Sequence, residues 1–383
     1  MLASYSRAWT EMDYDAIAHN CDEVQKLIGS TKIMGIVKAN AYGHGDVACA
    51  KAMKAWGVDF FGVSSIDEAI HLRENGIEEN VLVLGYTPEE HFHYLHELNI
   101  IQSLCSYDYA CKLNAYAKEN NLVICAHCKV DTGMNRTGVI YQKEEKHMDQ
   151  IVAEYQLENI QVEGIFSHFP VSDDLGEDSK TFTLRQIELF REVIDNLKKE
   201  GINPGLTHIQ NSYGILNYGD LGFDYCRPGL LYMGVTSDDS VPILSEPDFI
   251  PVMSLYANVS VVKWLSAGMT VSYGRHFVVE KPTKVATMSI GYADGLPRLI
   301  SNKNLNVLVH GQKCPIIGNV CMDQCMIDVT NVEDVHEGDV VCIVGVQGNE
   351  RVTIDEITRK AHTINNETLC AIAARVPRLK KRG

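Results

Sequence analysis

The segment at residues 33–45, IMGIVKANAYGHG, places a lysine at the end of an apolar run. Four apolar residues between positions 33 and 37 are typical of a buried strand, and Lys38 ends that strand. An ammonium group held partly away from water loses proton affinity and becomes a nucleophilic amine. Because such an amine can form an imine with an aldehyde, Lys38 is a candidate covalent anchor for a carbonyl compound.

Other strong hydrogen-bonding side chains also lie where predicted strands end. They are Lys129, Asp131 and Arg136 in AHCKVDTGMNRTG, His168 in GIFSHFP, Asn211 and Ser212 in HIQNS, and Arg227 in YCRPGLL. Each one alone has a structural explanation, such as a lysine that reaches water or a histidine satisfied inside a core. Together, at matched strand ends, they indicate one functional site rather than core packing.

The same strand ends offer groups that suit a phosphate. Phosphate oxygens can accept hydrogen bonds from the hydroxyls of Tyr42 and Ser212 and from the backbone amides of the segment RPGLL. An aldehyde anchor beside a phosphate site predicts pyridoxal phosphate as the cofactor, with Lys38 as its attachment point.

Eight short apolar segments alternate with longer amphipathic ones between about residues 12 and 235, from KIMGIVKAN to YCRPGLLYMG. Apolar strands separated by helices are typical of a parallel sheet that is covered on its outside. Eight of them predict an α/β fold, a (β/α)8 TIM barrel, for which about 250 residues is typical. A doubly wound sheet is the alternative, but neither GxGxxG nor GxxxxGK(S/T) occurs in the sequence.

After about residue 245 the pattern changes. The segments become β-rich and are separated by turn residues, with one short helix predicted in TIDEITRKAHT. This pattern predicts a second, mainly antiparallel β domain. We therefore divide the chain into a cofactor-binding barrel at residues 1–240 and a C-terminal β domain at residues 241–383.

The composition excludes several classes of protein. The 383 residues are 45% hydrophobic and carry a formal net charge of −16, so no nucleic-acid partner is expected, and the basic run RLKKRG is most simply a solvated tail. No apolar run approaches the ~18–20 residues that span a bilayer, and no signal peptide is visible, so we expect a cytoplasmic chain without membrane contact of its own. The twelve cysteines are predicted to be reduced core thiols, and no metal site is expected.

Eight motifs carry a resemblance to a known family: VKANAYGHG, KVDTGMNRTG, HIQNS, YCRPGLLYMG, VSYGR, GYADG, NVCMDQCMIDV and RVPR. In this order and with roughly this spacing, the chain resembles bacterial alanine racemases over essentially its whole length. The resemblance implies a pyridoxal-phosphate enzyme made of a barrel followed by a β domain. It also implies a head-to-tail homodimer whose subunits share active sites and act on a small amino-acid substrate.

The resemblance implies a role for each matched residue. Lys38 is one proton-transferring base, and Tyr273 of a second subunit is the other. The implied cofactor contacts are Lys38, Tyr42, Arg136, His168, Asn211, Ser212, Arg227, Gly229 and Leu230, with Arg227 at the pyridine nitrogen and His168 linking it to Tyr273. The implied substrate contacts are Arg136 and Asn366, together with Tyr292, Met322 and Asp323 of the second subunit. Lys129 matches a position that is often carbamylated in the family, where it fixes Arg136.

One position departs from the family pattern. The family has approximately T-I-x-Y-E-x-L-C near the C-terminus, whereas this chain has TINNETLC, so Asn366 stands where a tyrosine belongs. An amide in place of a phenol vacates the volume of a ring and leaves a donor and an acceptor for a substrate hydroxyl. The same substitution is a feature of the membrane-linked serine racemases of vancomycin-resistance clusters. The resemblance therefore implies interconversion of L- and D-serine for modified peptidoglycan precursors, with weaker activity on alanine.

Three alternatives stay open at this point. An ordinary alanine racemase would supply D-alanine for cell-wall synthesis, and only Asn366 and its neighbours favour serine. An amino-acid decarboxylase of the same barrel class would carry a C-(D/E)-x-x-D motif where this chain has CMDQ. A non-enzymatic pyridoxal-phosphate carrier would need no second base, whereas Tyr273 is present. If the serine racemases are the right comparison, a membrane-spanning domain precedes the catalytic domain in the full-length protein.

Overall fold

The computed structural model describes residues 7–381. Its first strand, β1 (Ala8–Met12), belongs to the second domain, and the next ten strands form the first. These ten strands are β2 (Lys32–Ile33), β3 (Gly35–Ile36), β4 (Phe60–Val63), β5 (Asn80–Val83), β6 (Ile101–Leu104), β7 (Ile124–Asp131), β8 (Val139–Ile140), β9 (Ile160–Phe166), β10 (Leu206–His208) and β11 (Tyr225–Cys226).

Eight strand positions close into a barrel. β2 pairs with β11 and β3 pairs with β4, and only Met34 separates β2 from β3, so these two short strands share one position. From β4 the sheet continues through β5, β6, β7, β9, β10 and β11, with every pairing parallel. The short strand β8 pairs with β7 outside this circle. The predicted (β/α)8 barrel is thereby confirmed.

Helices connect the barrel strands. They are α1 (Asp15–Ile28), α2 (Lys38–Tyr42), α3 (Asp46–Trp56), α4 (Ile66–Glu74), α5 (Phe92–Glu97), α6 (Tyr107–Glu119), α7 (Met148–Tyr155), α8 (Glu177–Lys199) and α9 (Ser212–Tyr218). Serine caps fix the start of α4 and α6, where Ser65 and Ser106 accept hydrogen bonds from amides three residues later. Within residues 7–381, no helix combines the length and the apolar character needed to cross a bilayer.

The remaining strands build the predicted mainly antiparallel β domain. They are β12 (Met253–Leu265), β13 (Thr270–Val271), β14 (Phe277–Val278), β15 (Thr283–Met288), β16 (Asn306–Val309), β17 (Gln312–Ile317), β18 (Cys325–Asp328), β19 (Val340–Gln347), β20 (Glu350–Val352) and β21 (Arg378–Lys380). The main sheet has the order β20-β19-β16-β17-β18-β15-β12-β1-β21, and β19 also pairs with β12. Residues 8–12 thus pair with the second domain, although they precede the barrel in the sequence.

Two helices follow β20, so the prediction of a single helix there was wrong. α10 (Ile354–Ala361) matches the predicted helix and begins with a capping box between Thr353 and Glu356. α11 (Asn365–Cys370) was missed because six residues are too few for a periodic pattern. α11 packs closely on the turn after Lys38, since a Cβ added to Gly43 would collide with the carbonyl oxygen of Leu369.

The basic C-terminal segment is not a solvated tail, contrary to the prediction. Arg378 donates to three carbonyl oxygens at positions 372, 373 and 376 and to that of Gly43. Lys381 pairs with Asp13 at 2.9 Å. Residues 382 and 383 of this segment lie outside the described residues. The segment therefore fastens the β domain to the turn after Lys38.

A cavity of about 750 Å³ lies between the two domains. Its walls include Met233 from the end of the barrel and Leu255 and Val344 from the β domain. None of the residues predicted to act on a cofactor or substrate lines this cavity. The predicted site is instead assembled at the carboxyl ends of the barrel strands, as in other proteins with this fold.

Candidate active site

Lys38 begins α2, a one-turn helix whose backbone is left-handed. Residues 39–42 all have left-handed backbone angles, with φ between 49° and 54°, and Gly43 follows with φ 83°. For a residue other than glycine this conformation costs roughly 1–2 kcal/mol. Such strain persists only when the surroundings hold it in place, and it clusters at functional sites.

Several contacts hold this turn. Glu68 accepts hydrogen bonds from the amides of Ala39 and Ser64, both at 2.7 Å. The buried His44 ring donates from Nδ1 towards the carbonyl oxygens of positions 41 and 42, at 3.1 and 3.0 Å. Burial lowers the pKa of His44 to about 4, so the ring stays neutral. With the bond from Arg378 to Gly43, both domains take part in fixing the lysine.

The Lys38 amine is half-buried among other basic groups. Burial, and after it repulsion from Arg136, lowers the pKa of Lys38, while the carboxylate of Glu68 acts in the opposite direction. A lowered pKa increases the neutral fraction of the amine at a given pH. The environment therefore makes this lysine a better nucleophile than one in water.

Tyr42, Ser212 and Gly229 form a small cradle beside the lysine turn. Ser212 Oγ accepts a hydrogen bond from the Gly229 amide at 2.9 Å. A Cβ added to Gly229 would lie 2.8 Å from Tyr42 Oη and 3.6 Å from Ser212 Oγ, so the glycine keeps a space open between the two hydroxyls. The next residue, Leu230, is buried and anchors this backbone. Two hydroxyls around a small space, with a backbone amide that donates to one of them, suit a phosphate group.

Asn211 supports the cradle from behind. Its Oδ1 accepts hydrogen bonds from the Gly214 amide and the Ser172 hydroxyl, both at 2.9 Å. Its Nδ2 donates to the Phe169 carbonyl at 3.1 Å. Asn211 is thus the N-cap of α9 and places Ser212 in the first turn of that helix. A direct contact between Asn211 and a cofactor stays a prediction.

Arg227 is buried, and its hydrogen-bond partners in the described chain are neutral. The guanidinium donates to His208 Nδ1 at 2.6 Å and to His168 Nδ1 at 3.1 Å. It also donates to the carbonyl oxygens of Ser167 and Ile209, at 2.6 and 3.0 Å. Burial lowers the pKa of Arg227 to about 9, which leaves the group charged at neutral pH.

Lys129 and Arg136 add two more basic groups to this region. Lys129 is buried, with Nζ 4.4 Å from the ring centre of Phe166, and burial lowers its pKa well below the usual value. The nearby carboxylate of Asp131 is occupied, because it accepts from three backbone amides in the loop at residues 133–136. Arg136 itself is exposed at the rim.

These basic groups converge without a carboxylate counter-ion. Among residues 7–381, no carboxylate oxygen lies within 4.0 Å of the side-chain nitrogens of Lys38, Lys129, Arg136 or Arg227. The imbalance is unusual in a chain with a net charge of −16. Positive charge without a protein partner suits an anionic ligand, and the Lys38 amine suits a carbonyl group. The donor set therefore fits pyridoxal phosphate.

Asn366 lies on α11, the helix that packs on the lysine turn. Cys370, one helical turn later and on the same face, is close enough to Lys38 for each group to affect the pKa of the other. The Oδ1 atom of Asn366 is buried and has no hydrogen-bond partner in the described part of the chain. A buried acceptor left unpaired costs about 1–3 kcal/mol, so a ligand hydroxyl at this position would be stabilising.

The other predicted substrate residues lie on an exposed face of the β domain. Tyr273 is 70% exposed, Tyr292 42% and Met322 53%. The amides of positions 292 and 293 donate to the carbonyls of positions 321 and 322, both at 3.0 Å, so Tyr292 and Met322 share one surface. The Asp323 carboxylate is already paired with Arg375 at 2.7 Å. These four residues take no part in the cluster around Lys38 within one chain.

Four residues of this region were missed by the sequence analysis: Glu68, His127, Phe166 and His208. Glu68 carried a usable signal, because it lies three residues after the serine cap of α4, where a capping residue is expected. His127, Phe166 and His208 lie within strands and look like core residues in the sequence. Only the folded chain shows that they surround Arg227.

Comparison with protein families matches residues 12–237 to the alanine racemase N-terminal domain and residues 252–380 to the alanine racemase C-terminal domain. The chain is 42% identical over 374 residues to alanine racemase 2 of Caldanaerobacter subterraneus subsp. tengcongensis, which covers 96% of this chain and 93% of that protein. It is also 39% identical over 373 residues to an amino-acid racemase of Enterococcus faecalis, which covers 97% of this chain but 51% of that protein.

Solved structures give the same match. The alanine racemase of Clostridium difficile 630 superposes with a TM-score of 0.88 at 34% identity, over 97% of this chain and 94% of that one. The alanine racemase of Bartonella henselae with covalently bound pyridoxal phosphate superposes with a TM-score of 0.84 at 28% identity, over 98% and 100% of the two chains.

A methyl group at position 229 should block the phosphate cradle without unfolding the protein. Gly229 does not have a left-handed φ, so alanine fits the backbone, but its Cβ would crowd Tyr42 Oη at 2.8 Å. We expect Gly229→Ala to weaken the binding of pyridoxal phosphate by about tenfold or more, since overpacking costs about 1–3 kcal/mol. The measurement is an absorbance titration of cofactor-free protein with the cofactor.

Gly176→Ala is the matched control. Gly176 also lacks a left-handed φ, and its Cβ would meet only the flexible side chain of Asp174. The melting temperature of cofactor-free Gly176→Ala should stay near that of the wild type, and that of cofactor-free Gly229→Ala should fall by only a few degrees, because Tyr42 must shift slightly to admit the methyl group. An unchanged cofactor affinity in Gly229→Ala would contradict the assignment of this space to a phosphate.

Proposed function

The chain belongs to the alanine racemase family, and from this premise we propose that it is a pyridoxal-phosphate-dependent racemase of small neutral amino acids. The observation that carries the proposal is the half-buried amine of Lys38, held on a strained turn beside a phosphate-sized cradle and among basic groups without counter-ions. The names of the relatives favour a racemase over a decarboxylase or a cofactor carrier.

Pyridoxal phosphate, when bound, supplies an electron sink that makes the α-proton of an attached amino acid removable. Lys38 would anchor it, and Tyr42, Ser212 and the Gly229 amide would bind its phosphate. Arg227 would face its pyridine nitrogen. Because a guanidinium only donates hydrogen bonds, Arg227 would leave that nitrogen without a proton, which favours return of the α-proton over transamination.

Racemisation requires a proton to leave one face of the α-carbon and another to arrive on the opposite face, so two bases are needed. Lys38 Nζ would be one, because its lowered pKa increases the share of neutral amine, the form that can accept a proton. We propose Tyr273 Oη of a second copy of the chain as the other, since Tyr273 is 70% exposed and lies outside the Lys38 cluster. Tyr292 and Met322 of that copy would border the same site, so the active form would be a homodimer.

Alanine is the better supported substrate. The Caldanaerobacter and Clostridium difficile relatives are named alanine racemases, and the chain matches them over 93% and 94% of their length. On this proposal, the product D-alanine would serve cell-wall synthesis. A cytoplasmic location stays a prediction, and no comparison supports a membrane tether or a role in vancomycin resistance for this chain.

Serine is the second candidate, and it is favoured by Asn366. The buried, unpartnered Oδ1 of Asn366 could accept a hydrogen bond from a substrate hydroxyl, which alanine lacks. Its neighbour Asn365 donates to Asp355 at 2.6 Å and to the Thr236 carbonyl at 2.9 Å, which holds this end of α11 in position. The Enterococcus relative carries the broader name amino-acid racemase.

We also propose that Lys129 is carbamylated. Burial lowers the pKa of this amine well below its usual value, which raises the fraction present in the neutral, reactive form, and the amine lies near Arg136. Its nitrogen could form a bond to carbon dioxide and release one proton to solvent. The resulting carboxylate would provide the counter-ion that Arg136 lacks among residues 7–381.

Paired kinetics on both amino acids test the substrate. Wild-type protein should interconvert the enantiomers of alanine, serine or both, followed by optical rotation. We expect Asn366→Tyr to lower the ratio of kcat/KM for L-serine to that for L-alanine by about tenfold or more, because the hydroxyl loses its acceptor and the ring fills the space.

Asn366→Ala separates these two causes, because it removes the amide without adding a ring. It should lower kcat/KM for L-serine while leaving that for L-alanine within about threefold. A ratio that neither substitution moves would show that Asn366 does not set the substrate. Absence of racemisation of both amino acids by wild-type holoenzyme would contradict the proposed function itself.

Mixed dimers test the sharing of sites. Lys38→Ala and Tyr273→Phe should each be nearly inactive alone. Co-expressed in equal amounts, they should recover about a quarter of wild-type activity, because half of the dimers are hybrids and each hybrid has one intact site of two. Co-expression that restores no activity, or a monomeric wild-type chain with full activity, would refute the shared site.

Isotope-labelled bicarbonate tests Lys129. Wild-type protein should show a carbamate carbon signal by NMR, since a neutral amine is the form that reacts. Lys129→Gln is the control, which keeps a polar side chain and cannot form a carbamate. A spectrum identical to that of the control would exclude the modification.

A further inference from the structure

Arg227 fixes the proton positions of the histidines around it. A guanidinium has only donors, so the ring nitrogen 2.6 Å away, His208 Nδ1, must be an unprotonated acceptor. His208 is fully buried, and burial together with the charge of Arg227 lowers its pKa far below the usual value, so the ring is neutral. Its single proton is therefore on Nε2.

The chain of hydrogen bonds continues one residue further into the barrel. His208 Nε2 lies 2.9 Å from His127 Nδ1, so His208 donates and His127 accepts. His127 is also fully buried, and burial lowers its pKa to about 3, which keeps it neutral with its proton on Nε2. That Nε2 atom has no hydrogen-bond partner in the described chain. The relay Arg227–His208–His127 thus ends inside the core.

The surroundings leave this relay little freedom. A Cβ added to Gly164 would lie 2.7 Å from His127 Nε2, and the ring of Phe60 packs edge-on against His127 at 5.6 Å. The ring of Phe166 stacks on His208, with centroids 4.8 Å apart and planes 6° from parallel. Because His127 is held this tightly, its acceptor atom fixes the orientation of His208.

We propose that His127 is a positioning residue for the racemase reaction, acting through His208 to hold Arg227 charged and aimed at the cofactor ring. This inference rests on the proposed function, which places Arg227 at the pyridine nitrogen. The geometry also explains the choice of residue type. A carboxylate in place of His127 or His208 would give Arg227 a counter-ion and weaken the positive charge offered to the ligand, whereas two neutral imidazoles satisfy its donors and leave the charge intact.

A matched pair of substitutions tests the relay, because asparagine and leucine have nearly the same shape. His127→Asn keeps an acceptor close to the position of Nδ1, and His127→Leu removes it. In His127→Leu the His208 Nε2–H is left without a partner, so His208 is free to reorient and Arg227 keeps a fixed geometry only towards His168, Ser167 and Ile209. Arg227 would then be less effective at keeping a proton away from the ring nitrogen of the cofactor. We expect kcat to fall about tenfold with KM within about twofold, as for loss of one buried hydrogen bond.

The decisive readout is the partition of turnovers between racemisation and transamination. His127→Leu should increase the fraction of turnovers that end in transamination, seen as conversion of the bound cofactor to its amine form, whereas His127→Asn should stay within about threefold of wild type on both measures. A role confined to stability would lower the melting temperature of the variants without changing this partition. Equal partition in the two variants would therefore overturn the proposal.

A second measurement uses unmutated protein without cofactor. With histidine labelled at the ring nitrogens, NMR should find His127 and His208 neutral and protonated at Nε2 throughout the range from about pH 5 to 8. A proton on Nδ1 of either ring, or protonation of either ring within that range, would overturn the relay. Because this spectrum does not depend on turnover, it decides the relay by itself, and a wild-type enzyme that racemises nothing would refute only the proposed function.

Discussion

The left-handed turn after Lys38 is the constraint on which the rest of the site depends. Four residues other than glycine adopt a backbone that each disfavours, so the turn cannot persist by its own preference. Glu68 holds it from the first turn of α4, and Arg378 and α11 hold it from the β domain. The position of Lys38 therefore depends on both domains, because neither the barrel nor the β domain alone supplies every contact that keeps its backbone in place.

A second constraint concerns charge. The site collects basic groups and surrounds them with an aromatic ring and neutral imidazoles, with Phe166 lying 4.4 Å from Lys129 Nζ and 5.3 Å from the Arg227 guanidinium carbon. Cation–π contacts and neutral acceptors stabilise a buried cation without cancelling its field. Burial disfavours this arrangement, and an anionic ligand would relieve it. The same features that disfavour this cluster of charges on its own suit it to an anionic, phosphorylated molecule.

The sequence predicted most of the barrel because its strands are near-continuous apolar runs, and helices such as α1 and α8 have clear amphipathic periods. It predicted that Lys38, Ser212 and Arg227 belong to one site, because polar side chains at the carboxyl ends of barrel strands converge on the same end of the barrel. It could not predict the partners of Arg227, since His127 and His208 are 81 residues apart and look like core residues until the barrel closes. It also misjudged the C-terminal segment, because a basic run resembles a solvated tail until Arg378 is seen to satisfy carbonyl groups from another part of the chain.

Strand β1 has a consequence for how this polypeptide acquires its structure. It lies inside the second sheet, between β12 and β21, so its backbone groups find partners only after residues 253–265 and 378–380 have been synthesised. The barrel strands lie between β1 and β12 in the sequence. All of them are therefore synthesised before β1 can pair with its partner strands. Contacts separated by more than 240 residues are slow to form, because the intervening chain must first become compact. We therefore expect closure of the barrel to bring the early strand and the late strands within reach of one another, and the β domain to be the part of the molecule that is completed last.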